Sequence, residues 1–198
     1  MHYKKHLLKD NKLSRIIDDN DHVLDLHSNI PLKLIASIVS QQLSTKVAQI
    51  IFERFLNLYK NKSPKPQQII DTPNETLRGI GLSNAKTQYV KNVAAFCLEH
   101  KISDKKLQTL NNEEIIELLT QIKGVGSWIV EMLLMFSLGR EDVFAVDDLG
   151  IQQAMTKLYN LDVTDKKMLK QKMISISSEW SPYRTYACLH LWAWKDPD

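Results

Sequence analysis

Residues 115–128 read Ile-Ile-Glu-Leu-Leu-Thr-Gln-Ile-Lys-Gly-Val-Gly-Ser-Trp. The pattern is a helix, a tight Gly124-Val125-Gly126 turn, and a second helix opening at Ser127. Glycine tolerates positive φ and carries no side chain, so backbone N–H groups at the start of the second helix can approach an anion closely, aided by the helix dipole. Lys123 adds a cation beside the turn. From Trp128 to Leu138 only Glu131 and Ser137 are polar, which predicts a central core helix buried on nearly every side, with Gly139 as a left-handed cap. The whole hairpin spans about residues 115–138. A loop, Arg140-Glu141-Asp142-Val143-Phe144-Ala145-Val146-Asp147-Asp148, then leads into a new helix at Leu149.

A Gly-x-Gly turn taken alone equally makes a plain corner between two helices. The chain contains another, Gly79-Ile80-Gly81, which reads as a structural turn because no comparable acidic pair follows it. An Asp at a helix start is ordinarily a cap. The pair Gln41-Gln42, ending an apolar helix, equally reads as a solvent-facing terminus, and any of the tryptophans could be core filling.

Helical periodicity dominates the rest of the chain. Ala48, Ile51, Phe52, Phe55 and Tyr59 fall on one face, opposite Lys46, Gln49, Glu53 and Asn57, and Ala85, Tyr89, Val93, Phe96 and Cys97 repeat the pattern. Pro31 suits the first turn of a helix running to about Gln42, Thr164-Asp165 start another, and Pro182 opens the last. No stretch alternates convincingly as a strand, so the expected fold is all-α, with about ten helices joined by short loops.

The 198 residues suit one domain, residues 1–198, and the formal charge of +3 permits phosphate contact without arguing for it. Cys97 and Cys188 both lie in apolar helical patterns, far apart, which fits a reducing compartment and cannot supply a four-ligand zinc or iron–sulfur site. Met1-His2-Tyr3-Lys4-Lys5 lacks the apolar run of a signal peptide, and no segment approaches the roughly 20 apolar residues of a membrane span. The expectation is a soluble protein of the cytoplasm, with no membrane association.

The order of hairpin, buried helix, loop and acidic pair over residues 119–152 resembles the helix-hairpin-helix Gly/Pro-Asp superfamily of base-excision DNA glycosylases. Ile38-Val39-Ser40-Gln41-Gln42-Leu43-Ser44 upstream, and Trp180-Ser181-Pro182-Tyr183-Arg184-Thr185-Tyr186-Ala187 with His190-Leu191-Trp192 downstream, are similar to the 3-methyladenine DNA glycosylase II branch. The chain looks like that branch's compact form, without an extra N-terminal domain. The resemblance implies two packed helical lobes with the active site in the cleft between them. It also implies a monomer that flips alkylated purines out of duplex DNA and hydrolyses their N-glycosidic bond.

The resemblance places the catalytic carboxylate at Asp148 and leaves Asp147 as a cap or neighbouring structural acid. Such a carboxylate stabilises the positive charge that builds on the sugar as the bond stretches, or orients the attacking water. Trp128 and Trp192 match pocket positions, and Met132 stands where some relatives carry another pocket aromatic. Trp192 and Trp194 lie about 200° apart on a helix, which leaves Trp194 to packing, as for Trp180. Gln42 is implied as the plug that fills the space left by the flipped base, with Ser44 near the minor groove. Lys123, Gly124, Val125, Gly126 and Ser127 are implied as the phosphate grip. Lys46 and Lys86 are further phosphate candidates, whereas Lys166, Lys167, Lys170 and Lys172 read as a solvated face. A monovalent cation, Na⁺ or K⁺, is implied at the carbonyls of Thr120, Ile122 and Val125, with no other cofactor. A strand-nicking enzyme would need a lysine amine just after the hairpin, and that position is Trp128. A non-catalytic DNA-binding module is the competing reading, because a hairpin can bind phosphate without chemistry.

Overall fold

The computed structural model describes residues 2–24, 26–27 and 29–196. Among them lie twelve α-helices, one short 3₁₀ turn at Leu13–Arg15, and no strand. In chain order the helices are α1 (His2–Leu7), α2 (Ile30–Ser40), α3 (Thr45–Asn57), α4 (Pro66–Asp71), α5 (Asn74–Gly79), α6 (Asn84–Glu99), α7 (Asp104–Gln108), α8 (Asn112–Leu119), α9 (Ser127–Phe136), α10 (Leu149–Tyr159), α11 (Lys166–Ser178) and α12 (Arg184–Lys195). The all-α expectation is met. The extra helices beyond the expected ten are single-turn pieces such as α4, α5 and α7, too short to show a period.

The chain divides into two compact units, residues 27–133 and residues 1–26 with 134–198. In the contiguous unit, α6 is the hub on which α2, α4 and α5 pack. Ile30, Leu34, Ile35, Ile38 and Val39 of α2 and Val90, Val93 and Ala94 of α6 are almost wholly buried. Each large aliphatic side chain so buried contributes roughly 1.5–3 kcal/mol relative to exposure. The start of α2 is satisfied from a distance: the Asp104 carboxylate accepts the N–H groups of Asn29 and Ile30 at 2.7 and 2.9 Å. A reciprocal pair opens α8, with Glu114 N–H to Asn111 Oδ1 at 2.8 Å and Asn111 N–H to Glu114 Oε2 at 2.7 Å.

In the discontinuous unit the N-terminal segment is stitched to the C-terminal helices. The Tyr3 ring stacks on Tyr186 at 4.0 Å with planes 4° apart. Asp10 gathers four donors: the N–H groups of Lys12 and Leu13, the Tyr159 hydroxyl and Trp180 Nε1. Trp180 is buried, in the packing role expected of it. The loop ahead of α10 is moored on the start of α12. Arg184 holds the Asp142 carboxylate through Nε at 2.6 Å and Nη2 at 3.0 Å, and the Thr185 hydroxyl donates to Arg140 O at 2.6 Å while accepting the Val143 N–H at 3.1 Å.

Two helix boundaries and the burial of one helix depart from expectation. The α2 helix stops at Ser40, because Gln41 turns extended and Gln42 takes a left-handed φ of 59°. Pro182, after a cis peptide bond, stands two residues ahead of α12 in a turn instead of opening it. The α9 helix is not buried all round: Ile129, Val130, Glu131, Leu133, Leu134 and Met135 are buried, but Trp128 is 36% and Phe136 43% exposed, with Met132 between them half-buried. These three recur every fourth residue, so they form one open stripe along the helix. Gly139 has the expected left-handed φ, 61°.

Candidate active site and nucleic-acid interface

In the discontinuous unit the structure brings Asp148 and Trp192 together. Asp148 ends the moored loop in an extended conformation and is itself the N-cap of α10, its Oδ1 accepting the Ile151 N–H at 2.9 Å. The same oxygen accepts Trp192 Nε1–H at 2.8 Å. Of the two roles left open for Asp147, the cap therefore belongs to Asp148, and Asp147 is the neighbouring acid. Asp147 instead forms an ion pair with Lys170 of α11, which removes Lys170 from the purely solvated set. Both partners of that pair are exposed, so it contributes about 1 kcal/mol or less.

Two further residues shape this corner. Gly150, in the first turn of α10, leaves room for the pair: a methyl group there would come within 3.0 Å of Asp148 Oδ1 and 3.1 Å of Trp192 Cδ1. Phe136, the last member of the open α9 stripe, sets its ring 5.9 Å from that of Trp192. Spacing along α9 could have revealed Phe136, since it lies eight residues beyond Trp128 on the same face. Trp194 lies apart from Asp148 under the Lys157 ammonium, 4.9 Å from its ring centre, as a packing role requires. Trp128 and Met132 fall in the contiguous unit and share the α9 stripe.

In that contiguous unit one strip of α6 supports two exposed turns. Lys86 donates through Nζ to Val39 O at 2.8 Å and Gln41 O at 2.6 Å, and burial holds its pKa below the ordinary lysine value. It thus caps the C-terminus of α2 and is not available to phosphate in this arrangement. The consequence is a fixed turn whose tip is Gln42, exposed and left-handed. Leu43, 38% exposed, follows it, and Ser44 begins α3 with no cap bond from its side chain.

Further along α6, Tyr89 and Asn92 hold the hairpin. Asn92 Nδ2 donates to Lys123 O at 3.0 Å. Gly124 has φ 105°, and a side chain there would run into the Tyr89 ring at 2.3 Å. The turn closes with Val125 N–H on Ile122 O at 2.9 Å. Gly126 has open space where a Cβ would lie, and it directly precedes Ser127, at the positive end of the α9 dipole. The two glycines therefore have different physical reasons: Gly124 fits the turn against Tyr89, and Gly126 leaves the helix start approachable. Lys123 and Lys46 are exposed.

A hydrogen-bonded aspartate at a helix start, preceded by a glycine hairpin and an aromatic-striped helix, defines a class. The chain belongs to the HhH-GPD superfamily of base excision DNA repair proteins, which residues 35–178 match. Within it the chain groups with DNA-3-methyladenine glycosylases. It is 41% identical to DNA-3-methyladenine glycosylase 1 of Schizosaccharomyces pombe over 162 residues, 81% of this chain and 70% of that protein. The solved structure of the S. pombe 3-methyladenine DNA glycosylase in complex with abasic DNA matches with a TM-score of 0.83 and 33% identity, covering 98% of this chain and 96% of that one. A crystal structure of a Bacillus halodurans DNA-3-methyladenine glycosidase matches at 0.86 and 35%, covering 100% and 90%. No helix among the described residues is long and apolar enough to cross a membrane.

Proposed function

We propose that this protein is a monofunctional DNA-3-methyladenine glycosylase, acting as a monomer on duplex DNA inside the cell. The observation that carries the reading is the fixed Asp148 carboxylate, held on one oxygen by both Ile151 N–H and Trp192 Nε1–H. A carboxylate whose position is set before substrate arrives stabilises developing charge without reorganising, and such a group is worth on the order of 100-fold or more in rate.

Hydrolysis of the N-glycosidic bond builds positive charge on the sugar, which Asp148 offsets while water adds at the anomeric carbon. The departing alkylated purine is itself cationic and leaves without a strong general acid. Electron-rich rings at Trp128 and Trp192, with the polarisable Met132, favour it by stacking and cation–π attraction. Gln42, at the tip of its turn, fills the space vacated by the flipped nucleotide, with Ser44 beside it. The hairpin from Lys123 to Ser127 grips phosphate through backbone N–H groups and the Lys123 charge.

The carbonyls of Thr120, Ile122 and Val125 lie at and just beyond the C-terminus of α8, where the helix dipole is negative. This donor set of neutral oxygens suits Na⁺ or K⁺, which would stiffen the turn and add positive charge toward phosphate. Exchange of all monovalent cations at constant ionic strength should change duplex affinity, and an unchanged affinity removes the cation from this reading.

The decisive experiment is single-turnover incubation with methylated duplex DNA, scored for free 3-methyladenine and for abasic sites without strand nicking. Binding without base release would overturn the enzymatic reading in favour of a binding module, and nicking would overturn the monofunctional one.

A further inference from the structure

Asp18, His22 and His190 come together in the discontinuous unit, with one ligand atom of each lying within 4.8 Å of the other two. They belong to segments at opposite ends of the sequence, and none is used by the chemistry described above. His190 is 1% exposed, and neither of its ring nitrogens has a hydrogen-bond partner among the described residues. His22 Nε2 is likewise buried and unpartnered. A buried polar atom without a partner is costly, and here one imidazole nitrogen from each of two histidines meets a carboxylate oxygen at a single spot.

The surroundings fix the donors in place. Tyr3 Oη accepts the His22 N–H at 3.1 Å. Asn20 donates to both oxygens of Asp18, at 3.1 and 3.0 Å. Lys4 ties the same loop through Asp19 O and the Asp21 carboxylate. His190 Nδ1 lies 3.6 Å from Asp18 Oδ1, and the His22 and His190 rings meet edge to face at 4.6 Å.

We infer that Asp18, His22 and His190 form a binding site for a divalent transition-metal ion of the Zn²⁺ type. Two imidazoles and one carboxylate are a borderline donor set for such ions. Tetrahedral ligands at zinc stand about 3.4 Å from one another, so the 3.6 Å pair is already close to bonding separation, and the wider gaps close by rotation of the exposed Asp18 and half-buried His22. Water completes the coordination on the Asp18 side. On α12, His190 and Trp192 project about 200° apart, which puts the metal on the side away from Asp148. Its role is to clamp residues 18–22 onto α12, not to take part in base excision.

The test uses the full chain, stripped with chelator and titrated with ZnCl₂ at pH 7.5 by calorimetry, with thermal melts of the stripped and loaded forms. The expected result is one saturable equivalent and a melting temperature raised by about 3 °C or more. Co²⁺ in its place should show the absorption of a four- or five-coordinate ion. Asp18→Asn and His22→Gln alter exposed or half-buried groups and should melt like stripped wild type, yet bind Zn²⁺ at least about tenfold more weakly. They also control for surface histidines such as His2 and His6. Absence of saturable binding up to about 100 µM, or binding unchanged in both variants, overturns the site.

Discussion

Trp192 Nε1 donates to the same oxygen of Asp148 that caps α10 through the Ile151 N–H, at 2.8 and 2.9 Å. An asparagine carbonyl can accept both bonds but carries no charge. Asp148→Asn is therefore expected to lose about 100-fold or more in single-turnover excision while melting close to wild type. Asp148→Ala should lose both activity and about 1 kcal/mol of stability through the missing cap. Near wild-type excision by a folded Asp148→Asn would sink the proposed chemistry.

Gly150→Ala separates positioning from folding. The new methyl group forces Asp148 Oδ1 or Trp192 to move by a few tenths of an ångström, whereas alanine favours helix over glycine by about 1 kcal/mol. Excision should fall roughly tenfold with the melting temperature unchanged or higher. A loss of both in parallel would show that the residue matters only to packing.

The plug turn can be tested from both sides. Gln42→Ala should weaken excision from a stable base pair more than from a mismatch, because a mismatched base is easier to unstack. Lys86→Met, which releases Val39 O and Gln41 O, should reproduce that bias through a loosened turn. Equal losses on the two substrates, measured by single-turnover rates, would remove Gln42 from the plug role.

The hairpin glycines should part company on substitution. Gly124→Ala meets both a positive φ and the Tyr89 ring, and is expected to destabilise by about 2 kcal/mol or more. Gly126→Ala meets no atom of the hairpin's surroundings, so its melt should stay near wild type while duplex affinity drops at low salt. Unaltered affinity for DNA would place the phosphate grip elsewhere.

Acid sensitivity should trace to Asp10. Burial opposes ionisation there, but hydrogen bonds from Trp180, Tyr159, Leu13 and Lys12 outweigh it and hold the carboxyl below its ordinary value of 3.8. A depressed folded pKa means the stabilisation is complete above about pH 4 and is lost as pH falls through the lower, folded value. Asp10→Asn should be less stable than wild type at pH 7, and the gap should narrow in melts taken progressively below pH 4.

The main lines of the fold were legible because they are written locally. Capping residues, apolar periods and the glycine turn each act over a few positions, and the hairpin, α9 and α11 all declare themselves that way, whereas the role of Asp148 came only from the family resemblance. The division of labour between Asp147 and Asp148 was not legible, since either acid can cap a helix starting at Leu149 and only the backbone at 148 decides. Lys86 reads as an exposed cation on α6, but its partners lie more than forty residues upstream. Gly150, the Asp147–Lys170 pair and the Asp18–His22–His190 cluster share that character. Each depends on which segments fold against one another, and no window along the chain contains both partners. The single-sided exposure of α9 escaped for a different reason: tryptophan, methionine and phenylalanine look the same in an apolar run whether they face a core or lie open.

The stacking of Tyr3 on Tyr186 has a bearing on synthesis. Residues 27–133 form a unit from one unbroken stretch, which can close as soon as it clears the ribosome. The other unit joins residues 1–26 to residues 134–198, so Asp10 must wait for Tyr159 and Trp180, and Tyr3 until α12 emerges. During that interval the apolar face of α1 is uncovered, and the nascent chain passes through a period in which a chaperone, or a misplaced contact, can find it before Tyr186 does.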